Sequence, residues 1–121
     1  MRPPLRAVLA VAGAATLSAC GSTATPSAAR TLRVALSEYR VTPQDISASP
    51  GLLTITVHNY GRLSHDLVIS LNGVAEAQTK PIAPGQTVAL QTTLGPGHYL
   101  MASSVLSDQA LGAYGSLNVG S

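Results

Sequence analysis

From residue 31 onward, apolar residues come in short alternating runs cut off by turn residues, a pattern that favours β-strands over helices. Leu52–Asn59 is the clearest run: Leu53, Ile55 and Val57 fall on one face, and Thr54, Thr56 and His58 on the other. Similar runs occupy 31–36, 45–48, 65–70, 87–92, 98–103 and 116–119. Ser49-Pro50-Gly51, Asn59-Tyr60-Gly61, Asn72-Gly73, Pro84-Gly85 and Gly95-Pro96-Gly97 separate them, each built from residues that turn the chain cheaply. Within 74–81 the pattern is ambiguous, and Ala75-Glu76-Ala77-Gln78 suits a helical turn. Seven to eight antiparallel strands at this spacing predict an all-β domain, a Greek-key β-sandwich or barrel.

The core of such a domain must be aliphatic, because the chain has neither Phe nor Trp. Tyr39, Tyr60, Tyr99 and Tyr114 are its only large rings, and their hydroxyls place them near the sandwich rims. Met101 shares a strand face with Tyr99 and Ser103 and reads as core filler. His58 and His98 read as polar-face strand residues, with no partner His at metal-binding spacing.

The first twenty residues follow another pattern. Arg2 and Arg6 precede an apolar run from Ala7 to Ala15, too short to span a bilayer but of the length found in secretory leaders. The run ends in Leu17-Ser18-Ala19-Cys20, which resembles the bacterial lipobox. That resemblance implies a signal peptide over 1–19, cleavage before Cys20, and lipidation of the Cys20 thiol, with palmitate-type acyl chains as the membrane anchor. Residues 20–30, small and polar with one Pro, read as a flexible tether, and 31–121 as the domain. Cys20 is the only Cys, so no internal disulfide forms.

Once Arg2 and Arg6 leave with the leader, Arg30, Arg33, Arg40, Arg62 and Lys80 balance Glu38, Asp45, Asp66, Glu76 and Asp108. No basic stripe is present, which argues against a nucleic-acid partner.

Two segments resemble the cupredoxin family of small blue-copper proteins. The first is Val57-His58-Asn59-Tyr60-Gly61-Arg62-Leu63-Ser64-His65-Asp66, similar to the family's strand, Asn, Gly-containing loop and first ligand His. The second runs from Gly97-His98-Tyr99-Leu100-Met101-Ala102-Ser103 to Gly112-Ala113-Tyr114-Gly115-Ser116-Leu117-Asn118-Val119. It is similar to the strand leading to the ligand Cys, the ligand loop and the closing strand; Pro84-Gly85-Gln86-Thr87 fits as well. The resemblance places the first ligand His at His65, the ligand Cys at Ser103, the second His at Asp108 and the axial Met at Ala113. Loop length is kept, but only His65 keeps its chemistry.

A blue site rests on two imidazoles and a thiolate, with a weak axial thioether. A hydroxyl is a poor ligand for Cu(I), and Ala113 offers no donor, so type-1 electron transfer is not expected. His65, Ser103 and Asp108 are expected to converge as a hydrogen-bonded cluster with no cofactor. The alternative is a non-blue, copper-handling site for Cu(II) or Zn(II) around His65 and Asp108. A Ser-His-Asp hydrolase is set aside, since no nucleophile elbow or oxyanion hole accompanies these residues, and the chain is read as non-enzymatic. These readings describe a lipid-anchored, extracytoplasmic module at the cell membrane that binds or scaffolds. Tyr60, Leu63, Leu106, Leu111 and Tyr114 form a candidate apolar rim for another membrane or exported protein.

Overall fold

The structure is a computed structural model that describes residues 23–105 and 112–120. Among these residues it contains nine strands: β1 Thr31–Ser37, β2 Arg40–Thr42, β3 Asp45–Ala48, β4 Gly51–Asn59, β5 Val68–Leu71, β6 Val74–Gln78, β7 Thr87–Leu94, β8 Gly97–Ala102 and β9 Tyr114–Val119. They form two sheets, ordered β2-β1-β4-β7 and β3-β9-β8-β5-β6. No helix of the described residues is long and apolar enough to cross a membrane.

The expected two-sheet, all-β body is present, with two corrections and one addition. The first concerns strand number. The expectation of seven to eight missed β2, three residues long, and left 74–81 open to a helical turn. Asn72 and Gly73 both take positive φ, 50° and 83°, the geometry of a tight two-residue hairpin loop. That loop folds Val74–Gln78 back onto β5, with Leu71 opposite Val74, so the segment is a strand.

The second concerns direction. β1 runs parallel to β4, and β3 runs parallel to β9; the remaining pairings are antiparallel. The chain leaves the first sheet after β2, enters the second as β3, and returns as β4 beside β1. A sheet switch of this kind brings β4 back in the direction of β1, which no local pattern encodes.

The addition concerns the tether. Expected over 20–30, it touches the domain at Ala24, Ser27 and Arg30. Ala24 forms a parallel bridge to Ile46, donating to the Asp45 carbonyl at 3.0 Å and accepting from Ser47 N at 2.9 Å. Arg30 donates to Leu52 O, Ser49 Oγ and Ser49 O at 3.2, 2.8 and 2.6 Å. The segment looks like linker by composition, yet Ala24 pairs its backbone with the open side of β3.

The inward faces meet in an aliphatic core. Leu53, Ile55 and Val57 from β4 face Ile69, Met101 and Leu117 from the other sheet, and all are fully buried. Each such side chain contributes ~1.5–3 kcal/mol relative to exposure. Of the four tyrosines only Tyr99 joins the core, its hydroxyl donating to Gly95 O at 2.8 Å. His58 and His98 lie on outward faces, as expected, paired with Thr87 and Asn118.

Candidate functional site

β4 ends in Asn59, and this side chain builds the loop that follows it. Asn59 is fully buried. Its amide nitrogen donates to Leu63 O and Ile82 O, both at 2.8 Å, and its oxygen accepts from Gly61 N at 2.7 Å. One amide thus holds the 60–63 loop closed and ties it to the chain ahead of β7. His65 continues this tie: its N–H donates to Ile82 O at 3.2 Å and its carbonyl accepts from Ile82 N at 2.7 Å. His65 therefore stands outside any named strand, and β5 begins only at Val68, later than the expected start at His65.

The parallel pairing of β1 and β4 sets their ends side by side, with Leu36 opposite Asn59. This delivers Glu38, from the β1–β2 turn, onto the closed loop. Its carboxylate accepts from Arg62 N at 3.0 and 2.8 Å, from Leu63 N at 3.1 Å, and meets His65 Nε2 at 2.9 Å. The hydrogen bond from His65, followed by the loop amides, lowers the Glu38 pKa to about 2. An ionised carboxylate only accepts, so Nε2 carries the proton in this contact. Gly61 makes room for it: a Cβ there would press into the Glu38 carboxylate and stand 3.0 Å from His65 Nε2.

The lowered pKa has a consequence for stability. A carboxyl more acidic in the folded chain than in the unfolded one stabilises the fold above the unfolded value of 4.5, and that contribution fades as pH falls toward about 2. Glu38→Gln is expected to flatten the curve of stability against pH in this window and to leave the rest of the curve parallel. Chemical denaturation at a series of pH values checks it; an unchanged acid limb contradicts the clamp.

A second cluster lies one residue along. Asp66 is buried. Its Oδ1 accepts from Ser103 Oγ at 3.3 Å and Ser104 N at 2.6 Å, and its Oδ2 accepts from Ser104 Oγ at 2.6 Å. Its own N–H donates back to Ser103 Oγ at 3.3 Å. Ser103 N donates to Ala113 O at 3.2 Å, so positions 103 and 113 are neighbours, both buried.

The expected grouping of His65, Ser103 and Asp108 includes a residue outside the described ones, and the described contacts add two carboxylates to it. Glu38 partners His65, and Asp66 partners Ser103, while Asp108 lies outside the described residues. Asp66 was legible in part, since it follows His65 directly. Glu38 was not, because its placement depends on the parallel β1–β4 pairing. Of the candidate rim, Tyr60, Leu63 and Tyr114 are exposed; Leu106, Leu111 and the lipidation residue Cys20 lie outside the described residues.

These residues do not fit type-1 copper. Position 103 holds a hydroxyl already engaged with Asp66 from both sides, and position 113 holds a methyl group. Among the described residues, no three or more His, Cys, Asp or Glu side chains gather as a metal-binding group.

No family model matches the chain, and no curated protein matches it. Solved structures do. A dithionite-reduced auracyanin from the photosynthetic bacterium Roseiflexus castenholzii superposes with a TM-score of 0.73 at 20% identity, over 79% of this chain and 99% of that one. An azurin from the methylotroph Methylomonas sp. strain J gives 0.68 at 13%, over 78% and 100%. Auracyanin A, a blue copper protein from Chloroflexus aurantiacus, gives 0.68 at 17%, over 74% and 98%. The element order, the two-sheet body and these likenesses agree on one architecture: the chain has the cupredoxin fold.

Proposed function

We propose that this chain is a membrane-anchored binding or scaffolding module that uses the cupredoxin fold without a type-1 copper centre. The observation that carries this reading is the closed hydrogen-bonding of Ser103, at the position where the fold's relatives are expected to bear a thiolate. Its hydroxyl donates to Asp66 and accepts from the Asp66 N–H. Such a network rigidifies a loop base, and it offers no soft anion to hold Cu(I). The lipobox at Cys20 supports tethering at the outer face of the cell membrane. Two acyl chains hold where one is marginal, each buried methylene contributing ~0.8 kcal/mol.

The test joins both halves of the reading. Cells expressing the full chain and fed an alkyne-tagged palmitate should yield a labelled protein, and Cys20→Ser should abolish the label. The purified wild-type chain should stay colourless with Cu(II). An unlabelled wild type overturns the anchor, and an intense thiolate-type band overturns the account of the site. Tight Cu(II) binding without colour, lost in His65→Ala, would instead favour copper handling at His65 and Asp108.

A further inference from the structure

The outward face of the four-stranded sheet carries a groove that the copper-site argument does not use. Arg33, Ala35, Thr42, Thr56, His58 and Tyr60 are among the residues that line it, and its volume is about 310 Å³. That is at the lower end of the ~300–1,000 Å³ typical of small-molecule sites. Strand register builds it. Arg33 stands opposite Thr56, and Ala35 opposite both His58 and Thr42. The small Ala35 side chain lowers the floor while longer neighbours raise the walls.

Three features point to the chemistry of its occupant. Tyr60 is 71% exposed, an unusual cost for a ring in a chain that has so few. It is nevertheless braced, its ring centroid 4.1 Å from that of His58 at a tilt of 55°, while His58 Nδ1 pairs with Thr87 Oγ1 at 2.5 Å. Next, the Arg33 guanidinium makes no hydrogen bond or ion pair among the described residues, and no acidic side chain lines the groove. Finally, the floor comes from β1 and β4, the interior strands of their sheet, whose amides are spent on the ladder. An extended peptide would seek an edge strand for its main-chain bonds. Here recognition falls to a ring face, a cation and the hydroxyls of Thr42 and Thr56.

The geometry points to a carboxylated sugar unit, a uronate within an acidic glycan, as the ligand of this groove. The sugar's polarised C–H face stacks on the electron-rich face of Tyr60. Its carboxylate takes the fork of Arg33, and its hydroxyls meet Thr42, Thr56 and His58. This inference rests on the reading of the domain as a binding module and supplies its ligand class.

The full chain in detergent, labelled with ¹⁵N, is titrated with tri-galacturonic acid, with a neutral trisaccharide and with a poly-aspartate peptide. The charged trimer should shift the amides of Arg33, Thr56 and Tyr60 saturably, and added salt should weaken it. Arg33→Gln should cost the charged trimer roughly tenfold in affinity and leave the neutral one unchanged, while Tyr60→Ala should weaken both. Both residues lie on the outer surface, so unchanged melting temperatures separate lost binding from lost folding. No saturable shift, shifts confined to the 60–65 and 112–114 end, or a preference for the peptide each overturns the proposal. Palmitate labelling and copper colour report on the module reading independently of this titration.

Discussion

Asn59→Ala is expected to lower the stability of the domain by roughly 3 kcal/mol, a fall of ~12–24 °C in melting temperature for a domain of this size. The side chain is fully buried and satisfies three main-chain groups at once: Gly61 N, Leu63 O and Ile82 O. Truncation removes the amide and leaves those groups to find water in a closed site, at about 1–3 kcal/mol for each that fails. Ile82 O keeps its bond from His65 N and limits the loss. The loop amides of Arg62 and Leu63 lose their register against Glu38, so the acid limb of the stability curve should flatten as well. Gln91→Ala is the control: its amide donates to Thr54 Oγ1 at 3.3 Å on the outer face, and its loss should stay within ~0.5 kcal/mol. Thermal and urea unfolding of the two variants side by side check the difference. An Asn59→Ala protein as stable as Gln91→Ala would mean that the loop closes without this amide.

Much of the architecture is legible in the sequence because each strand announces itself by its own period. β4 alternates cleanly, and the structure buries Leu53, Ile55 and Val57 while turning Thr54, Thr56 and His58 outward. What period cannot state is which strand lies beside which. The β1–β4 pairing is parallel only because the chain changes sheets between them, and Glu38 reaches His65 through that pairing. A carboxylate and an imidazole far apart in sequence become partners through topology, not spacing. β6 was obscured for a different reason. Val74–Gln78 is an exposed edge strand with almost no buried side chain, so no alternation marks it, and the Asn72-Gly73 turn alone decides it. Ala24 shows that composition is not decisive either, since a residue in a run of small polar ones still pairs when an open strand edge is within reach.

The second large effect is a gain. Ser103→Cys combined with Asp108→His should make the protein intensely coloured with Cu(II), where the wild type stays colourless and Ser103→Cys alone binds weakly. The pair places a thiolate and a second imidazole at the positions that the resemblance aligns with copper ligands, beside His65, and this is the trigonal set on which a blue site depends. The axial position can remain Ala113, because that ligand is long and weak and tunes the centre more than it holds it. The scaffold is prepared for this: Ser103 and Ala113 are joined through the backbone, and Glu38 accepts the Nε2 proton of His65, as carboxylates behind metal-bound imidazoles do. The obstacle is Asp66. Its Oδ1 accepts a hydrogen bond from position 103, and a thiolate has no proton to give. An acceptor-only oxygen beside it leaves the contact without a hydrogen to share and works against the charge that copper needs. Adding Asp66→Asn removes the negative charge beside the sulfur while the amide oxygen still accepts from Ser104 N, and should deepen the colour further. Absorption and paramagnetic resonance spectra of the series decide the matter. If the triple variant binds Cu(II) and stays pale, position 108 does not reach His65, and the alignment of these positions with a blue site is wrong.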